Sequence, residues 1–380
     1  MTDIDLLEKI DWDFAEAVTN GATNSMHPYP AKFIPQIPKH FIKQLSNNGE
    51  TVYDPFLGSG TTAVEANLLG RNAIGNDVNE LAILISKVKT TPISNNKLES
   101  LDELLNRIHN RIYTLYSNKK TEIIKPDIFR LEMWFEDFVS NEIVLIKEEI
   151  EKLDDKDLKN FCFVALSGII INVSRQDSDT RYVRVQKEIN HFGTYNYFYK
   201  QIIRLRKILY SSNESIKNGD SFFKVADTRT ENVFDENSAN LAVTSPPYPN
   251  AYDYHLYHKY RLFWLGMNPR QLRKTEIGAH ADYSKKNGPD EFDFLIDMKK
   301  CFLNTSKILK KGSYFVLVIG NSILKGRKIK NNEILKEAAL KTPFNFITEF
   351  NRNLKLSRKS FNPKIGNIKT EKIIIFENFK

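Results

Sequence analysis

The stretch 51–70, TVYDPFLGSGTTAVEANLLG, constrains this chain more than any other. A short β-branched run ends in a turn with two glycines, and a helical pattern begins at once. Gly58 and Gly60 allow the backbone a close approach to a ligand, and Thr61 can open a helix that runs through Glu65 and Leu69. The free N–H groups at such a helix start receive an anionic part of a ligand. A second strand, NAIGNDVN, ends in Asp77, about 20 residues past the turn, where an acidic side chain can hold two ribose hydroxyls. Strand, turn, helix and strand in that order open a parallel α/β sheet.

Further β-branched runs lie at 222–226, 240–244, 313–319, 344–349 and 371–376, the last with the apolar string IIIF. With 51–54 and 72–76 they make seven candidate strands, enough for one doubly wound sheet. The rhythm breaks between the second and the third. Residues 98–116, 131–153, 156–172 and 197–210 carry apolar residues at three- and four-residue spacing and read as helices. Between the last two lies SRQDSDTRYVRVQKEINHFGTY, which has no helical period. A segment this long is an added subdomain, not a connection. The expected organisation is a first part of the sheet domain at 1–90, a helical insertion at 91–217 for target recognition or as a lid, and a second part at 218–380.

The formal net charge of +8 favours a polyanionic partner over an acidic protein or a cationic metabolite. Cys162 and Cys301 lie far apart in apolar or helical stretches and can build neither a disulfide framework nor a zinc cluster, so a reducing cytoplasm is the expected compartment. Neither has the turn setting of a thiol nucleophile, which argues against methylation at cytosine C5. No apolar stretch is long enough to span a bilayer, and MTDIDLLEKI does not read as a signal peptide.

The ligand of the Gly-rich turn narrows by elimination. A phosphate-binding P-loop needs Lys before the Ser or Thr, and Gly60-Thr61 stand there instead. GSGTTA does satisfy the dinucleotide pattern, which keeps a nicotinamide-dependent oxidoreductase as an alternative. Asp54-Pro55-Phe56 ahead of the glycines favours a methyl donor, because an acid at the strand end can face the amino group of a methionine moiety.

The stretch 239–254, ANLAVTSPPYPNAYDY, decides between them. An apolar strand delivers Thr244, Ser245, Pro246, Pro247 and Tyr248 at its carboxyl end, where open α/β sheets bind ligands. The two prolines remove two backbone donors and fix the chain. The Ser245 side chain and the Pro246 carbonyl can then both accept hydrogen bonds from an NH2 group. An exocyclic amine on a base is a poor nucleophile, since its lone pair is delocalised into the ring. Two acceptors on its hydrogens aim that lone pair at a methyl donor, so positioning supplies the catalysis. Tyr248 offers a ring on which a flipped base can stack.

DPFLGSG followed by TSPPY resembles the amino-methyltransferases of nucleic acids, particularly the DNA enzymes of restriction–modification systems. HPYPAKFIPQIP, at 27–38, is similar to the family's segment that closes over the methionine end of the cofactor, with Lys32 and Phe33 as its contacts. The resemblance covers 26–90 and about 218–380. It implies a class I S-adenosylmethionine-dependent methyltransferase fold, a Rossmann-like seven-stranded sheet here carrying a helical insertion. It implies S-adenosyl-L-methionine as cofactor, double-stranded DNA as partner with RNA as the other polymer, and a companion restriction endonuclease. The stretch from Asp54 to Gly60, with Pro55, Phe56 and Gly58, would cradle the methionine part, Asp77 the ribose and Asp227 the adenine amino group. Serine in TSPPY, where adenine-N6 enzymes usually carry Asp or Asn, resembles the cytosine-N4 subgroup. The family usually carries its DNA-reading domain before or after the catalytic motif, whereas the only candidate here is the insertion.

Nucleic-acid contacts are expected from Arg175, Arg181 and Arg184 in the insertion, with Tyr182 among them, and from Tyr252 and Tyr254 behind the catalytic loop. A basic hairpin before the last strand, with Arg352, Arg358 and Lys359, could track phosphates. His255 and His258 have no cysteine or acidic partner at ligand spacing, so no metal is expected.

Overall fold

All seven stretches read as strands join one sheet: β1 (Thr51–Asp54), β2 (Asn72–Asp77), β3 (Ser221–Val225), β4 (Ala239–Thr244), β5 (Leu309–Gly320), β6 (Phe344–Asn353) and β7 (Thr370–Asn378). The computed structural model describes residues 3–380 apart from 18, 20, 118–122, 180, 217, 231–232 and 355–369. The strand order is β3-β2-β1-β4-β5-β7-β6. β1 to β5 run parallel to one another, and β7 is antiparallel to both β5 and β6. A dinucleotide-binding sheet has the order 3-2-1-4-5-6. The antiparallel β7 between β5 and β6 sets this sheet apart, and it is the seven-stranded sheet of a class I methyltransferase.

Burial on both faces explains the continuous apolar runs. In β7, Ile373 and Ile375 pack on one face with Phe41 of α1 (Gln36–Leu45) and Ala66 of α2 (Thr61–Leu68). Ile374 and Phe376 pack on the other. There they meet Phe302 of α10 (Glu291–Ile308) and Leu335 of α11 (Asn331–Ala339). Each of these apolar side chains, fully withdrawn from water, contributes roughly 1.5–3 kcal/mol.

The insertion follows α3 (Glu80–Thr90) and holds α4 (Leu101–Ser117), α5 (Asp137–Glu151), α6 (Lys156–Val173) and α7 (Gly193–Ile216). One apolar core runs from Leu81 and Ile85 of α3 through these helices to Tyr260 and Trp264 of α8 (Lys259–Trp264). The insertion is thus welded to the sheet domain at both ends. Three readings of it change. The helix expected over 131–153 is two, Leu131–Trp134 and α5, with extended backbone at Phe135 between them. The last helix is longer than expected, and the aperiodic stretch contains a hairpin, Gln176–Ser178 with Arg181–Arg184.

Candidate active site

A cleft with about 840 Å³ of empty space, part of it open to solvent, lies at the carboxyl ends of β1 to β4. The strand order reverses between β1 and β4, and open α/β sheets bind ligands at that crevice. β1 contributes Pro55 to Gly58, β2 contributes Asp77 to Asn79, β3 is followed by Ala226 to Thr228, and β4 by Ser245 and Pro247. The arm from Tyr29 to Phe33 covers one side. The segment Thr275 to Ile277, following α9 (Pro269–Thr275), covers another.

Gly60 has a positive φ of 77°, and a Cβ there would lie 2.6 Å from Ser86 Oγ, so only glycine fits the turn into α2. The Gly58 N–H donates to Asp77 Oδ2 at 2.8 Å, and the Asn79 N–H donates to Asp77 Oδ1 at 2.8 Å. Burial pushes the Asp77 carboxyl up to about 6. Asp54 turns inward, and its Oδ1 accepts from Thr244 Oγ1 at 2.6 Å and from the Phe56 N–H at 3.1 Å. Burial lifts this carboxyl too, to about 6. Behind the loop Lys89 is fully buried and donates to the Ser59 carbonyl at 2.7 Å, and burial holds its amine well below the usual range. In the sequence this lysine reads only as part of a helix.

Ser245 and Pro247 line the cleft, whereas Pro246 is buried and Tyr248, expected to stack on a base, is not among the lining residues and packs half-buried against the core on one face of the sheet. The Tyr248 hydroxyl donates to Glu371 Oε1 at 3.3 Å, and the Ser245 side chain and Gly320 backbone face the same hydroxyl. Glu371 in turn accepts from Arg352 Nη1 at 2.5 Å, and Arg352 Nε donates to the Trp12 carbonyl at 3.1 Å. Arg352, read as a phosphate contact, is instead buried in this chain of bonds.

Of the other expected residues, Lys32, Phe33, Pro55, Phe56, Gly58, Thr61, Asp77, Asp227 and Tyr254 line the cleft. Asp54, Gly60 and Thr244 sit beneath it. Asp227 reaches the cleft, but its carboxylate is held by Arg229, whose Nη2 donates at 2.7 Å. Tyr252 packs against Tyr254, ring centroids 6.0 Å apart. Arg175 is taken up by Glu136 and by the Glu132 carbonyl at 3.0 Å, whereas Arg181 and Arg184 are exposed. Arg358 and Lys359 lie outside the described residues. Both cysteines are buried, which pushes their thiols up and away from nucleophilic use.

Sequence reasoning missed Tyr29, Asn79, Thr228, Leu272, Thr275, Glu276 and Ile277 on the cleft wall. Tyr29 stands in the quoted arm, and Thr228 stands beside Asp227. The group 272–277 has no local signal. His255, read as lacking an acidic partner, has one in space: its Nδ1 lies 2.6 Å from Glu276 Oε2, and its N–H donates to Glu276 Oε1 at 2.6 Å. Asp253 completes a group whose ligand atoms lie within 4.8 Å of one another, but its Oδ1 already accepts from the Ala281 N–H.

Residues 8–88, which hold the arm, the Gly-rich loop and Asp77, match the model of the DNA methylase family. Over 428 aligned residues the chain is 26% identical to the type II methyltransferase M.MvaI of Kocuria varians, covering 96% of this chain and 93% of that one. Over nearly its whole length the chain is thus similar to type II methyltransferases, and over its first part to the DNA methylase family. A second relative, the type II methyltransferase M.MjaII of Methanocaldococcus jannaschii, is 25% identical over 91% of this chain and 82% of its own. Identity rises to 45% over a shorter stretch of 71 residues with the type II methyltransferase M.BglI of Bacillus subtilis, 18% of this chain and 20% of that one.

The cofactor is S-adenosyl-L-methionine, and the wall of the cleft fits that molecule. It offers one carboxylate at the end of β2, backbone donors in the glycine turn, and the aromatic faces of Tyr29, Phe33 and Phe56 beside apolar Ile277 and Leu272. Among the described residues, no helix is long and apolar enough to cross a membrane.

Proposed function

We propose that the chain methylates the exocyclic N4 amino group of cytosine in double-stranded DNA. The observation that carries this reading is the position of Ser245 on the cleft wall, at the carboxyl end of β4 and next to the strand that delivers the Gly-rich loop. Asp77 would hold the ribose, Phe56 and the Pro55–Gly58 turn the methionine part, and Lys32 and Phe33 of the arm would close over it. When bound, S-adenosyl-L-methionine supplies an activated methyl group on a positively charged sulfur.

The protein's own contribution is orientation. The Ser245 hydroxyl and the Pro246 carbonyl accept the two hydrogens of the target amine, and the amine lone pair is thereby aimed toward the cofactor side of the cleft. Serine accepts and stays neutral, which suits an amine that carries no charge until transfer. No buried thiolate is available for attack on a ring carbon, since Cys162 and Cys301 are sealed in the core. The base must leave the stack to reach Ser245, because an exocyclic amine cannot be approached inside a duplex.

Transfer of labelled methyl to unmethylated DNA, followed by mass spectrometry of the nucleosides, tests the reading. N4-methylcytosine is the expected product. N6-methyladenine would overturn the base assignment, and label in RNA but not DNA would overturn the choice of polymer.

A further inference from the structure

The hairpin of Gln176–Ser178 and Arg181–Arg184 is bolted to the sheet domain on one side and open on the other. Gln176 pairs with Arg184 and Ser178 with Arg181, and the second strand has no other neighbour among the described residues. A two-stranded ribbon is barely stable in water by itself. Here Tyr182 holds it, its ring 4.6 Å from that of Trp134 and its hydroxyl 3.0 Å from the hydroxyl of Tyr260 on α8. Asp179 adds an ion pair to the fully buried Arg261, also on α8. Only His258 separates α8 from the turn Tyr254–Tyr257, whose first residue lines the cleft. The hairpin is therefore fixed in place relative to the base that enters the cleft.

What this mounting leaves outward is cationic and apolar. All four residues of Arg181–Arg184 are exposed, Val183 to 49%. Side chains alternate along a strand, so with Tyr182 facing α8, Arg181 and Val183 face away from it. The Arg184 side chain has no partner among the described residues. Arg181 has only an exposed pair with Asp177 at 3.3 Å, worth little in water and easily exchanged. Beside the hairpin Phe129 is 55% exposed, with the Arg130 guanidinium 5.0 Å over its ring and Lys259 Nζ 6.0 Å from the same centroid. Asp179 is spent on Arg261, whereas Arg181 and Arg184 are not held by the fold.

We propose that this hairpin is the target-reading element of the enzyme, lying in the major groove of duplex DNA beside the flipped base. A major groove about 12 Å wide admits a two-stranded ribbon. Arg181 and Val183, on the outward face, meet base edges such as those of guanine and a thymine methyl, while Arg184, exposed on the Tyr182 side of the strand, engages a flanking phosphate. The proposal rests on the DNA reading above. It gives the insertion a task that a lid would not need, since the hairpin presents an outward strand with one free edge and is tied to the catalytic side.

The test is the double variant Val183→Ala/Arg184→Ala, since neither side chain holds the fold together. The KM for duplex DNA is expected to rise at least tenfold. The set of methylated sequences on a plasmid, read by single-molecule sequencing, is expected to broaden. Melting temperature and S-adenosyl-L-methionine affinity should match the parent protein. Parent-like KM and an unchanged methylated sequence in the variant would overturn the hairpin's role alone. A parent protein that neither methylates nor binds duplex DNA would overturn the DNA reading and the hairpin's role with it.

Discussion

The hydroxyl of Thr244, the last residue of β4, donates to the buried carboxylate of Asp54, the last residue of β1, at 2.6 Å. The two strands are neighbours in the sheet, and each ends where a functional loop begins. A second bond, from Thr62 Oγ1 to the Val243 carbonyl at 3.1 Å, ties the helix after the cofactor loop to the same strand. The Gly-rich loop and the Ser245 loop, proposed above to hold the methyl donor and the acceptor, thus share one rigid reference. Thr244→Val keeps the shape and removes the donor, leaving a buried carboxylate short of one partner. We expect a loss of roughly 1–3 kcal/mol in stability. Weaker S-adenosyl-L-methionine binding and slower turnover should accompany it. Denaturant unfolding and calorimetric titration of the one variant check both, and parent-like values in each would show the bond to be idle.

Asp77 sets a pH dependence of definite sign. Burial is the largest influence on its carboxyl, raising it to about 6 against the opposing pull of the Asn79 and Gly58 N–H groups. In the proposed site the ribose hydroxyls would donate to the ionised form, so this contribution to cofactor affinity is complete above the raised pKa and is lost as pH falls through it. The free protein behaves oppositely. The folded state holds this proton more tightly than the unfolded one, so the group costs stability above about 6 and the cost fades toward the ordinary value of 3.8. The dissociation constant for S-adenosyl-L-methionine should rise about tenfold between pH 7 and pH 5. Asp77→Asn should flatten that rise while weakening binding at neutral pH, as titration calorimetry would show.

The strands and the two loops were legible because each carries its own local signal. β1, β2 and β4 announce themselves by β-branched residues running into Gly or Pro, and the site sits on their ends. What stayed hidden depends on contacts distant in sequence. Glu276 and Ile277 reach the cleft only because α9 folds back over it. The break at Phe135 is a similar case. Apolar spacing continues through it, but Arg175 donates its backbone N–H to the Trp134 carbonyl and its side chain to the Glu132 carbonyl. Those carbonyls would have accepted within a continuous helix, so a tertiary partner ends the helix where periodicity predicts more of it. Arg352 was misread for the same reason, since its buried partner Glu371 lies on the next strand.

Glu371 acts as a positioning residue for Tyr248. It accepts the tyrosine hydroxyl with one oxygen and Arg352 with the other, which restrains the ring. Glu371→Ala frees the ring and also strands a buried guanidinium, at a cost of roughly 3–5 kcal/mol. The informative variant is therefore Glu371→Gln, which keeps an acceptor for Tyr248 but gives up the charge and the second acceptor, the one toward Arg352. Turnover should fall at least tenfold in the alanine variant and recover substantially in the glutamine one, with cofactor affinity near parental in the latter. Equal losses of turnover in both variants, tracking their melting temperatures, would mean that the pair only stabilises the fold.

Gly278 supports the catalytic loop from the opposite side. Its φ is +75°, and a Cβ built there would stand 2.5 Å from the Tyr248 carbonyl oxygen and 2.9 Å from its carbon. The Gly278 carbonyl also accepts from the Asn250 N–H at 2.9 Å, so the two loops are in direct backbone contact. A methyl group cannot be absorbed by a flexible neighbour here, because what it meets is main chain. Gly278→Ala must push the stretch containing Tyr248 and Pro249 away from its place. Gly266 provides the control: its φ is +77°, but nothing lies within 4 Å of the position a Cβ would take. Alanine at either site pays the same conformational strain, roughly 1–3 kcal/mol. Only the change at 278 adds displacement of the catalytic loop. Turnover measured for the two variants at matched stability should therefore separate, with Gly278→Ala at least tenfold slower and Gly266→Ala close to the parent. Equal rates would show that the catalytic loop does not rely on this contact for its position.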